Sequence, residues 1–173
     1  MTEPAKPLKV RPKKLTPADE MAMVFARSAT RAGCPPDQIF NFCKAGVWLQ
    51  PKQLEFCAAA RQCDLPDGPT AILNGGGRGT GKSHTVLAQI FCDDCQRVPG
   101  LKCLFIRKVG QANKEQINDF VRKLLVNLPH KYREATPSKV EFPNGSFVLL
   151  GNFKDEKDID KYLSQESGRL HCR

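Results

Sequence analysis

The sequence predicts an α/β fold: a mostly parallel sheet flanked by helices, with a β-hairpin near the C-terminus. Three observations carry that prediction. The apolar run Ala71-Ile72-Leu73 passes into Gly76-x-x-x-x-Gly81-Lys82-Ser83, a strand end, a glycine-rich turn and a helix start in succession. A second apolar stretch, Cys103 to Ile106, follows within about forty residues, so strand, helix and strand form a βαβ unit with parallel strands and a right-handed crossover. Finally, Asn144-Gly145 stands between Lys139-Val-Glu-Phe142 and Ser146-Phe-Val-Leu-Leu150. Asn-Gly is the strongest short-range hairpin signal.

At 173 residues the chain is long enough for one domain with a real core. Its 27 Lys+Arg against 18 Asp+Glu, a net charge of +9, point to polyanions as partners. Five basic residues lie between Lys6 and Lys14, with prolines at 4, 7 and 12. That composition cannot pack a core, so residues 1–15 are predicted to be a disordered basic arm, either a solubilising tail or a contact for DNA or a partner. No apolar run approaches the length of a bilayer span and the N-terminus has no apolar signal-peptide centre, so the expectation is a cytosolic protein with no membrane partner. The eight cysteines (34, 43, 57, 63, 92, 95, 103, 172) are then expected to be reduced thiols. Cys92-Asp-Asp-Cys95 has the spacing of half a zinc site, but no second Cys-x-x-Cys or His pair accompanies it.

The elements follow in order. Residues 16–47 read as a helical leader. Thr16-Pro17-Ala18-Asp19 is a helix start with Met21, Val24, Phe25 and Ala29 at helical spacing. Pro35-Pro36-Asp37 opens a second helix, with Ile39, Phe40 and Cys43 on one face. From residue 48 to 173 the chain reads as a partial nucleotide-binding domain, beginning with a helix from Pro51 to about Arg61 and the loop Asp64 to Pro69. Val86, Leu87, Ile90 and Phe91 mark the helix after the glycine-rich turn, and Lys102 to Lys108 a buried strand with Arg107 and Lys108 at its carboxyl end. Ligands of parallel sheets bind at that end, so these two cations face either a ligand or solvent. Gln111 to Asn127 is an amphipathic helix stopped by Pro129. The hairpin comes next, and Lys154 to Ser167 is a polar loop with a short helix.

The chemistry sits in the glycine-rich turn, which has Walker A spacing and implies a P-loop NTPase fold. Glycines at 75, 76, 77, 79 and 81 let successive N–H groups approach phosphate oxygens. A helix starting near Gly81 adds unpaired N–H groups and the positive end of its dipole. Lys82 would bridge the outer phosphates, and the Ser83 hydroxyl is a ligand for Mg²⁺, so ATP and Mg²⁺ are the expected cofactors. The candidate nucleotide contacts are Gly76, Gly77, Gly79, Thr80, Gly81, Lys82, Ser83 and Thr85. Upstream, Gln53 at a helix start could read an adenine edge with its paired donor and acceptor, or simply face solvent. Hydrolysis also needs a second metal carboxylate, normally at the end of another apolar strand. No such strand is read after Leu163. Asp155 and Glu156 fall several residues past Leu150, beyond a strand marked as a hairpin arm.

From about Trp48 to Glu166 the chain resembles the N-terminal part of the terminase large subunit of tailed bacteriophages, the ATPase that drives DNA into the procapsid. The likeness rests on Leu49-Gln-Pro-Lys-Gln53, Gly75-Gly-Gly-Arg-Gly-Thr-Gly-Lys-Ser83, Phe105-Ile-Arg-Lys108, and Phe142-Pro-Asn-Gly-Ser-Phe147 leading into Asp158-Ile-Asp-Lys-Tyr-Leu-Ser-Gln-Glu166. The resemblance implies that Gln53 contacts adenine and that Arg78 joins Lys82 in catalysis, its guanidinium offsetting charge on the γ-phosphate. It also implies double-stranded DNA, a terminase small subunit and a portal protein as partners, a homo-oligomeric ring, and a location in the host cytoplasm. In that family an apolar strand ending in an acidic pair and then a nuclease domain come later. Ser167 to Arg173 does not resemble that strand, so the expectation is a truncated chain that hydrolyses ATP at background rates. A helicase-like P-loop ATPase is the other nucleic-acid-dependent reading.

Overall fold

Thr16 starts the first helix by a reciprocal cap. In the computed structural model, which describes residues 15–77, 79–108, 112–135, 137–153 and 169–172, helix α1 (Pro17–Arg31) opens with the Thr16 side chain accepting from the Asp19 N–H and Asp19 accepting from the Thr16 N–H. Helix α2 (Pro36–Ala45) ends on Gly46 at φ 70°, and helix α3 (Pro51–Gln62) begins at the expected proline. Two expected faces are corrected. Phe25 and Ala29 are buried, but Met21 and Val24 are exposed; on α2 the buried residues are Gln38, Phe42 and Ala45, while Phe40 is 66% exposed. The leader packs through a narrower stripe than its apolar content suggests.

Helix α4 runs over 82–97 without a break. It is α-helical at Lys82–Ala88, π-helical at Gln89–Asp94 and α-helical again at Cys95–Arg97. The wider turn has a local reason. Successive residues of an α-helix point about 100° apart, whereas here Asp93 and Asp94 both face the Gln89 amide, whose Nε2 donates to Asp93 Oδ2 and to Asp94 Oδ1 at 2.9 Å each. Single π turns of this kind recur near functional sites.

The sheet contains β1 (Lys102–Lys108), β2 (Lys131–Arg133), β3 (Ser138–Glu141), β4 (Phe147–Phe153) and β5 (Arg169–Cys172), with helix α5 (Ala112–Leu124) between β1 and β2. Its order is β2-β3-β4-β1-β5. β1 is parallel to β4 and to β5, whereas β3 is antiparallel to β2 and to β4. The sheet is therefore mixed, and the expectation of a mostly parallel one is corrected. The cause lies at Ala71-Ile72-Leu73, which forms no strand; Leu73 is 97% exposed. That run is three residues long between Gly68-Pro69 and three glycines, and both edges of β1 are already taken by β4 and β5.

Other expectations fare differently. The hairpin forms as read: β3 and β4 pair, Phe142 N–H donates to Ser146 O at 2.9 Å, and Gly145 takes φ 84°. β2 is an added strand, α5 ends three residues before Asn127, and β5 is a strand after Leu163 where none was expected. Between sheet and helices lies one core, with Phe42, Leu54, Leu87, Phe91, Phe105 and Val148 among its most buried members. Leu104 and Ile106, alternating with Cys103 and Phe105, are buried as well. A strand covered on both faces reads as a continuous apolar run. The leader helices share this core rather than forming a separate layer.

Candidate functional site

Gly81 joins the glycine-rich loop to α4. It is the N-cap residue at φ 74°, and Gly76 and Gly79 also have positive φ, at 119° and 86°. Such angles strain any residue with a Cβ. A Cβ added at Gly75, Gly77 or Gly79 would meet nothing within 4 Å, so the loop borders open space at these glycines. Lys82 crosses it: its Nζ donates to the carbonyls of Gly76 (2.6 Å) and Gly77 and to Thr80 Oγ1 (3.2 Å). The ammonium thus ties the loop's first glycines to the helix start. Thr80 Oγ1 donates to Gly77 O at 3.0 Å, and Thr85 Oγ1 to Gly81 O at 3.0 Å, fixing the turn from both sides. Ser83 is buried. Arg78 lies outside the described residues.

Gln53, far away in sequence, comes to this loop. A Cβ at Gly81 would sit 2.7 Å from Gln53 Nε2, so the amide packs directly against the N-cap glycine. The same amide is oriented by its own helix, because Gln53 Oε1 accepts from the Gln50 N–H at 2.9 Å. Gly81→Ala is therefore expected to lose stability twice, through about 1–2 kcal/mol of left-handed backbone strain and through the collision with Gln53. Thermal unfolding of Gly81→Ala beside Gly81→Ala/Gln53→Ala checks this. The double variant should recover the steric part alone.

The carboxyl end of β1 reaches the same neighbourhood through α5. Arg107 Nη1 donates to Gln116 Oε1 at 3.3 Å, and one turn later the Phe120 ring meets His84 edge-on at 6.0 Å between centroids. Gln116 and Phe120 are i,i+4 neighbours on one helix face, so one side of α5 joins the strand end to the start of α4. Burial, and then the Lys123 charge, lower the His84 pKa. The side chain of Lys108, and Asp155 and Glu156, lie outside the described residues. β4 extends to Phe153, three residues past the expected end, so Asp155 follows the strand by two positions in sequence.

Comparison with protein families, with curated proteins and with solved structures returned no match. The residues themselves carry the reading. A loop bordering open space at three glycines, with positive φ at Gly76, Gly79 and Gly81, a helix N-terminus and an ammonium held on its carbonyls suits an anionic, phosphate-bearing ligand. For a divalent cation the expected ligand is the Ser83 hydroxyl; the described residues hold no group of three or more His, Cys, Asp or Glu side chains. That donor set fits an ion such as Mg²⁺ that keeps most of its water shell and takes ligand from a phosphate.

A polar cluster that the sequence reading passed over lies behind the loop. Gln38 Nε2 donates to Cys57 O (2.9 Å) and to Gln89 Oε1 (2.8 Å), and Asn41 Nδ2 to Asp93 Oδ1 (2.9 Å). Arg61 pairs with Asp37 and, at 3.4 Å, with Asp93; Arg97 pairs with Asp64 at 2.5 Å and with Asp94 at 3.6 Å. Asp93 and Asp94 are fully buried. Two adjacent acids inside Ile90-Phe91-Cys92-x-x-Cys95 were the available signal, since charges enter a core only with partners. The flanking thiols take separate contacts: Cys92 Sγ donates to Leu124 O at 3.7 Å, while Cys95 faces Cys103.

Proposed function

We propose that this chain is the ATP-binding part of a P-loop ATPase, the front portion of a phage DNA-packaging motor of the terminase large-subunit kind. The observation that carries the proposal is the meeting of Gln53 with Gly81. It brings an amide suited to an adenine edge against the loop suited to the phosphates, from segments 28 residues apart. Mg-ATP would supply the phosphoryl group and its leaving group. Of the chain's own residues, the loop N–H groups and Lys82 would hold the phosphates, Ser83 would take the metal, and Gln53 would hold the base. Arg78 would offset γ-phosphate charge, a role drawn from the resemblance. The small subunit, the portal, the ring and the host cytoplasm rest on that resemblance too, as does DNA translocation. No helix among the described residues is long and apolar enough to cross a membrane.

Calorimetric titration with Mg-ATP and Mg-GTP tests the proposal. The chain should prefer ATP, and Gln53→Ala should weaken ATP roughly tenfold, about one hydrogen bond, while leaving GTP unchanged. Equal affinity for the two nucleotides in the unaltered chain removes the adenine role. For hydrolysis, the length of β4 favours a second reading of the acids. Because β4 is parallel to β1 and ends at Phe153, Asp155 and Glu156 follow a parallel strand, the sequence position of metal-binding acids in such ATPases. On this reading any steady-state turnover is lost in Asp155→Asn; the truncated-fragment reading predicts background turnover in both.

A further inference from the structure

The face of the sheet turned away from the helical core carries its own charge pattern. Tyr132 is anchored on the helix side, where its hydroxyl donates to Asn118 of α5. Alternation then puts Lys131 and Arg133 on the opposite face. The register sets Lys131 beside Glu141, Arg133 beside Lys139, Glu141 beside Phe147, and Phe147 beside Lys102. Four cations from three strands thus surround one carboxylate. Glu141 is already committed, to Lys139 at 2.7 Å and to Arg133 at 3.1 Å. Lys102, Lys131 and Arg133 are exposed, and Lys131, Lys139, Glu141 and Phe147 line a groove of about 580 Å³.

We propose that this face docks the sugar-phosphate backbone of duplex DNA. The proposal rests on the nucleic-acid-dependent reading above but concerns a surface separate from the phosphate loop. Charge complementarity favours a polyanion: the face has an excess of three positive charges, and the whole chain carries +9. Geometry favours backbone over bases. Lys131 and Arg133 lie two residues apart on one strand, about 6.7 Å, a spacing suited to successive phosphates of one DNA strand. Single-strand readers stack bases on aromatic rings. Here the aromatic candidate, Phe147, is covered by Lys139 Nζ at 4.1 Å from its centroid. Among the described residues the face presents strands and no helix that would enter a groove, which favours contacts to the backbone over contacts to bases.

Fluorescence anisotropy with a labelled 20-bp duplex, over a range of salt concentrations, tests the proposal. The triple variant Lys102→Gln/Lys131→Gln/Arg133→Gln, all at exposed positions, should bind roughly tenfold more weakly at low salt. Its log K against log[salt] slope should fall by about 2.7, three phosphate contacts at about 0.9 each. Mg-ATP affinity and the melting temperature should not move, which separates failure here from failure of the nucleotide site. An unchanged duplex affinity in the triple variant overturns the proposal, as does loss of binding on deleting residues 1–14 alone. Tighter binding of a single-stranded oligonucleotide of the same length overturns it too.

Discussion

Lys82→Ala is expected to abolish measurable Mg-ATP binding. The Lys82 ammonium is the cation that spans the loop among the described residues, held on the carbonyls of Gly76 and Gly77 and on Thr80 Oγ1. The Thr80 contact is the longest of the three, so it is the one a phosphate oxygen would exchange for. Charge-assisted hydrogen bonds contribute about 1.5–3 kcal/mol each, so losing the one exchanged to phosphate weakens binding about ten- to a hundredfold. The tie between the loop's first glycines and α4 goes as well, which adds ordering cost. Isothermal calorimetry at millimolar nucleotide reads the loss, with circular dichroism to show that the helices remain. A Lys82→Ala protein that binds Mg-ATP as tightly as its parent would sink the phosphate-loop assignment.

A second large effect should appear in stability against pH. The Asp94 carboxyl is pushed up to about 7, first by burial and then by the Asp93 charge, with the Gln89 amide, Arg97 and Arg61 pulling the other way. Unfolded, it titrates near 3.8. Between these values the folded chain holds a proton that the unfolded chain has released. Its contribution is thus fully present below the unfolded value and lost as pH rises through the folded one. The loss approaches about 1.4 kcal/mol per pH unit inside the window, a few kcal/mol in all. Asp94→Asn keeps an acceptor for Gln89 and removes the titration. Urea unfolding from pH 4.5 to 8 should show stability falling in the parent and nearly level in the variant, which should be the more stable protein at pH 8. Equal slopes would mean that Asp94 is ionised throughout and held by its arginine. Glu141, held low by its hydrogen bond from Lys139, acts in a lower window, losing its contribution only as pH falls through the acid range.

Local chemistry made much of this protein legible. The Thr16–Asp19 cap, the prolines at 17, 36 and 51, the apolar run of β1 and the Asn144-Gly145 turn each act over a few residues, and each element appears where they put it. The glycine-rich turn was legible for the same reason: Gly76, Gly79 and Gly81 take the positive φ that only glycine adopts without strain. Long-range competition decided the rest. Whether Ala71-Ile72-Leu73 became a strand depended on which segments claimed the edges of β1, and β4 and β5 did. Periodicity could not say that Phe40 would face out and Gln38 in, because a buried glutamine is stable only where Cys57 O and Gln89 meet it. Caps, turns and glycines act on their neighbours, so the helices, the hairpin and the left-handed glycines of the loop are set locally. Contacts between distant segments set the mixed sheet, the meeting of Gln53 with Gly81, the buried pair at Asp93 and Asp94 and the basic outer face. Each of these depends on partners many residues away, where strand competition, desolvation and register set the outcome.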